Sequence, residues 1–210
     1  VDGNVKVEVI GKAAHASTPN LGINAISYLM QALSDIGCKD AFVSNYNRVF
    51  GLDTSGKNSG IACTDEYGSL TCVTGVMHKN GDVIEGTIDI RVPVKHDAKQ
   101  LASVLKACGN DEFNITIDSA NPALFYDPNS SFIQALLKAY QETTGDYESK
   151  PMVIGGGTYA QSIHNVIAFG PEHEGGCAYN IHDVNEKLPL NELKEMIAVY
   201  VQALLNLLAL

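Results

Sequence analysis

The sequence predicts an α/β chain in two parts, an α+β unit over residues 1–122 followed by a partial α/β unit over 123–210. Three observations predict it. Residues 60–92 alternate apolar and polar between good turn sequences, which is the period of half-buried antiparallel strands. Residues 23–36 and 97–108 repeat their apolar positions every three or four, the period of a helix with one buried face. Beyond a stretch with two prolines, "NPALFYDPNSS" at 121–131, helical patterns alternate with short apolar runs, as where helices cover a parallel or mixed sheet.

The elements follow in order. Val5, Val7 and Val9 alternate with Lys6 and Glu8 and predict a first strand. Ile23, Ile26, Leu29, Met30, Leu33 and Ile36 share a helix face, and Gly37 supplies the stop. Phe42, Val43, Tyr46, Val49 and Phe50 continue with a weaker helical pattern, and polar residues 53–59 form a loop. Strands are expected at 60–64, 70–76 and 83–92, joined by "DEYGS" and "HKNGD" into an antiparallel meander. Asp97 caps a helix bearing Leu101, Val104, Leu105 and Cys108, with Gly109 at its end, and Phe113, Ile115 and Ile117 alternate as one more strand. In the second part a helix is expected over 131–144, strands over 152–154 and 166–169, and a terminal helix from Leu190 onward. The charged and amide residues Glu192, Lys194, Glu195, Gln202 and Asn206 give that last helix a polar side, so it reads as amphipathic, not membrane-spanning.

Composition narrows the function classes. The 210 residues carry 24 acids against 14 bases, a formal charge of -10 with no basic run, which argues against a polyanionic partner such as nucleic acid. The five cysteines are odd in number, widely spaced and never C-x-x-C, so neither a disulfide framework nor a cysteine zinc site is expected, and a reducing cytoplasm is. Val1 is followed by no basic-then-apolar leader, so no secretory signal is expected.

Four stretches carry candidate chemistry, each with a plainer alternative. His15, in "GKAAHASTPNLGINAI", is either a catalytic imidazole or a hydrogen-bonded structural group. In "IGGGTYA" the backbone N–H groups around Gly156, Gly157 and Thr158 can receive an anion, or the glycines simply make a tight turn. Arg91, ending "GTIDIR", can grip a carboxylate bidentately or pair with Asp89 or Asp97. His182 precedes Asn185 and Glu186, groups suited to orienting a metal-bound imidazole, but one histidine is not a metal site, and no H-x-x-x-H occurs. A cysteine hydrolase built on Cys177 and His182 lacks a third, activating group.

Taken together and in this order, "GKAAHASTPNLGINAI", "GTIDIRVPV", "IGGGTYA" and "AFGPEHEGG…NIHDVNE" resemble the two-zinc peptidases that include PepV-type dipeptidases, carnosinases and glutamate carboxypeptidases, the PepV type most of all. The resemblance implies a ferredoxin-like lid sheet with helices on one face over 1–122, followed at 123–210 by the C-terminal portion of the catalytic domain's mixed sheet. It implies that His15 stabilises the oxyanion of the tetrahedral intermediate, that Arg91 holds the substrate's free C-terminal carboxylate, and that Gly156, Gly157 and Thr158 line the substrate backbone. His182 becomes a zinc ligand, with Asn185 and Glu186 around it. The family's H-x-D pair and adjacent glutamates are missing from this sequence. The chain is therefore expected to be the C-terminal half of a zinc-dependent dipeptidase. Alone it would be inactive and hold zinc weakly or not at all, and it would associate with the missing half or pair as a homodimer through the lid. The alternative is a noncatalytic module that binds carboxylates or mediates association.

Overall fold

The computed structural model describes residues 6–170, 179 and 184–210. The chain divides into two compact units, Val1–Ala123 and Leu124–Leu210. Among the described residues the fold is mixed α/β, with five α-helices and two small antiparallel sheets.

In the first unit, α1 spans Ala25–Asp35 and α2 spans Ala41–Val49. Asn24 and Asp40 cap them, each side chain accepting two of the N–H groups that the first turn leaves unpaired. Gly37, with φ at +81°, ends the first helix where the sequence put the stop. Strands β1 (Thr64–Asp65) and β2 (Gly68–Ser69) form a short pair, and β3 (Thr71–Asn80) and β4 (Val83–Arg91) form a long hairpin. Helix α3, Ala98–Lys106, begins at the Asp97 cap that the sequence predicted but stops short of Gly109.

The hairpin has two faces, set by the alternation of the pleat. Cys72 and Thr74 stand opposite Ile90 and Ile88 and face the core, where they meet Met30 of α1, Val43, Tyr46 and Val49 of α2, and Leu105 of α3. Thr71 stands opposite Arg91, and Val73 opposite Asp89, on the other face. Burial pushes the Cys72 thiol up to about 12, so it stays protonated and serves as a small apolar core group. Inside the core the Tyr46 hydroxyl lies 2.8 Å from Ser27 Oγ and 2.7 Å from Thr74 Oγ1. This chain of hydroxyls ties both helices to the strand, and burial raises the phenol's pKa.

In the second unit α4, Ser131–Thr144, packs along α5, Leu190–Leu208, through Leu136, Ala139 and Ala203. No helix among the described residues is long and apolar enough to cross a membrane.

Several expected strands do not form ladders. Val5, Val7 and Val9 predicted a strand; Val5 lies outside the described residues, and residues 6–10 run without a strand partner among those described and leave Val7 and Ile10 exposed. Phe113 makes one isolated bridge, to Asn110, in place of a strand over 113–117. Residues 152–154 and 166–169 are likewise unpaired, and Met152 is 76% exposed. Alternation records which side chains want burial, but a strand also needs a neighbour for its backbone hydrogen bonds. None of these segments has one among the described residues.

Candidate functional site

The loop that carries His15 is closed at its base by a two-way backbone pair: Lys12 N–H donates to Ile23 O at 3.0 Å, and Ile23 N–H donates to Lys12 O at 2.9 Å. Two glycines make that closure. A Cβ on Gly11 would sit 2.4 Å from Ile23 O, and one on Gly22 would sit 2.6 Å from the Ala14 Cβ and 2.7 Å from Lys12 O. Neither distance is tolerable for a side chain.

The closed loop is fastened to β3 at two points. Thr71 Oγ1 donates to Ala16 O at 2.9 Å, and Asn24 Nδ2 donates to Thr74 O at 2.8 Å while its Oδ1 caps α1. Because Thr71 stands opposite Arg91 in the ladder, the residue beside His15 is joined to the strand position facing Arg91. The structure thus brings two of the candidate residues, His15 and Arg91, onto one local scaffold.

The imidazole itself is held by its neighbour. His15 Nδ1 lies 2.7 Å from Ser17 Oγ and 3.2 Å from the Ser17 backbone nitrogen. The ring is otherwise exposed.

Arg91 Nη2 donates to Asp89 Oδ2 at 2.6 Å, one of the two plainer pairings the sequence offered; Asp97 instead caps α3. Asp89 takes only part of a five-donor fork, and Arg91 Nε is buried without a partner among the described residues. A buried unpaired N–H is costly, and Nε is itself closed to a ligand from solvent, so a further acceptor would have to meet the Nη groups of the partly exposed side chain.

In the second unit Gly156, Gly157 and Thr158 precede a 3₁₀ turn at Tyr159–Ser162, and the Thr158 side chain makes no capping bond. Neither Gly156 nor Gly157 has positive φ, and a Cβ on either would meet nothing closer than 3.4 Å. An ordinary turn, the plainer reading of this stretch, does not require glycine at either position. Asn185, with φ at +61°, and Glu186 are exposed in a turn before α5. His182 and Cys177 lie outside the described residues. Among the described residues no three His, Cys, Asp or Glu side chains gather as a metal ion requires.

Sequence reasoning missed Thr71, Ser17, Asn24 and the two closing glycines. Asn24 was open to the capping rule, since it directly precedes an apolar period. Thr71 acts across 55 positions, and no local signal announces it.

The model of peptidase family M20/M25/M40 matches residues 8–206. Among curated proteins the chain is 30% identical to "Putative dipeptidase SH1171" of Staphylococcus haemolyticus and 32% identical to "Putative dipeptidase YtjP" of Bacillus subtilis, each alignment covering 98% of this chain. A protein of Staphylococcus aureus, "Putative dipeptidase SAUSA300_1697", is 29% identical over 99% of the chain. In every case the chain spans 45% of the relative's own length.

Proposed function

The chain belongs to peptidase family M20/M25/M40, and from that membership we propose that it is the C-terminal half of a zinc-dependent dipeptidase, contributing the lid and part of the catalytic domain. The proposed substrate is a dipeptide with a free C-terminal carboxylate. The observation that carries this reading is the link from Thr71, opposite Arg91, to Ala16, beside His15. It gives a carboxylate-binding group and a neutral hydrogen-bond donor a common mount, as a substrate with a carbonyl and a terminal carboxylate one residue apart requires.

In this reading Arg91 receives the carboxylate through N–H groups not used by Asp89. His15 donates from its free ring nitrogen to the oxygen that becomes negative when the carbonyl is attacked, a contact worth most in the transition state. In the second unit the backbone N–H groups of Gly156, Gly157 and Thr158 are assigned to the substrate backbone, the two glycines leaving room for its approach. Two zinc ions, when bound to the intact enzyme, would supply an activated water at neutral pH. This chain would offer His182 to them, with Asn185 and Glu186 close by in sequence to orient it, and the other donors would come from the part of the relatives that this chain does not cover.

Exposed apolar side chains on the second unit, among them Met152, Leu204 and Leu208, support packing against such a complementary part. The outer edge of β4, which pairs with no further strand among the described residues, supports a homodimer as the other mode of association. The test is to assay dipeptide hydrolysis by this chain alone, then after adding a polypeptide equivalent to the uncovered portion of the relatives. Activity that appears only in the mixture and disappears with a chelator is the expected result. Full activity of the chain alone, or none in a mixture that forms a stable complex, would overturn the proposal.

A further inference from the structure

We propose that Ser17 is a positioning residue for His15, holding the neutral imidazole as the tautomer with its proton on Nε2 and turning that N–H toward the open side of the loop. The inference rests on the reading of His15 as the oxyanion donor. It adds the group that makes the ring a donor in the required direction.

A backbone N–H can only donate, so the Ser17 nitrogen, at 3.2 Å from His15 Nδ1 and the long end of the hydrogen-bond range, biases that ring nitrogen toward accepting. The Ser17 hydroxyl makes the shorter contact to the same nitrogen, 2.7 Å, and by donating there supplies the larger part of the hold, the part that Ser17→Ala removes. With the Nδ1 lone pair engaged, the single proton of the neutral ring belongs on Nε2. Nε2 has no hydrogen-bond partner among the described residues, and the ring is exposed, so its N–H remains free for an incoming acceptor.

The backbone under the ring is fixed as well. Thr18 N–H donates to His15 O at 2.9 Å, Leu21 N–H donates to Thr18 O at 3.1 Å, and Thr71 holds the next carbonyl, that of Ala16. The histidine is therefore set by contacts within a few residues and by one anchor on β3. Ser17 itself spends its donors on the ring, which makes it a positioning residue and not a catalytic one.

The test is long-range proton–nitrogen correlation NMR of the His15 ring in this chain, at a pH where the imidazole is neutral. In the parent chain the two ring nitrogens should give the widely separated shifts of a single Nε2–H tautomer. Ser17→Ala should move the two shifts toward each other as both tautomers become populated, and Ser17→Thr should restore the separation, while backbone amides outside the loop stay unchanged. A proton on Nδ1 in the parent chain, or ring shifts in Ser17→Ala identical to the parent's, would overturn the inference. His15→Ala in a catalytically active preparation tests the reading underneath it. Unchanged turnover there removes the oxyanion role whatever the tautomer, whereas lost turnover with no tautomer change in Ser17→Ala removes the Ser17 inference alone.

Discussion

The hydroxyl of Thr71 donates to the carbonyl of Ala16 across 2.9 Å, joining the first residue of the hairpin to the loop that carries His15. Thr71 faces Arg91 in the ladder, so the loop is attached at the strand position across from the guanidinium.

Gly22→Ala should release the His15 loop without unfolding the unit. The added Cβ would press on the Ala14 Cβ at 2.6 Å and on Lys12 O at 2.7 Å, and the Lys12–Ile23 backbone pair must give way. Hydrogen exchange should show lost protection at the Lys12 and Ile23 amides with protection in α2 unchanged. Retained protection at both amides would show that the closure does not depend on glycine.

Tyr46→Phe should cost about 1–3 kcal/mol of stability, the range for leaving buried polar groups short of a partner. The phenol is 1% exposed and sits between the hydroxyls of Ser27 and Thr74, which would lose their shared contact. Urea denaturation of parent and variant measures the difference. A neutral result would mean that the two remaining hydroxyls find each other or other partners.

Acid should weaken the turn after α4 in a definite window. Hydrogen bonds from the Ser149 side chain, the Ser149 backbone and the Tyr140 hydroxyl hold the Asp146 carboxyl at about 2. Its folded pKa lies below the ordinary value of about 3.9, so its contribution is fully present above that value and is lost as pH falls through about 2. Amide shifts of residues 144–149 followed on acidification should titrate in that range, and Asp146→Asn should abolish the titration. A transition centred at the ordinary carboxylate value would contradict the hydrogen-bonded picture.

His15→Ala, in an active preparation that includes this chain, should lower kcat by roughly 10²–10³ with little change in KM, as expected for a donor that acts mainly on the transition state. Steady-state kinetics on one dipeptide measures it. A raised KM with kcat intact would assign the ring to ground-state binding.

The helices were legible in the sequence because each carries its own information: the apolar period of 23–36, the Asp97 cap and Gly37 all act within a few residues. The β3–β4 hairpin was legible for the same reason, its turn and its alternation lying within one stretch. Val5 to Val9 and Met152 to Ile154 show what is not local. Their patterns state a preference for burial, while the partner that would make them strands has no signature in the segment itself. Likewise His15 and Arg91 were identifiable as residue types at meaningful positions, but their connection through Thr71 spans the unit and exists only once it has folded.

The claim on which this account turns is that Arg91 recognises the substrate's terminal carboxylate beside the carbonyl served by His15. The most direct measurement is the kcat/KM ratio of a dipeptide to its C-terminal amide, for the active parent protein and for Arg91→Met. The account predicts strong preference for the free acid in the parent and at least about a tenfold loss of that preference, roughly 1.4 kcal/mol, in the variant. Equal preference in both proteins would contradict it.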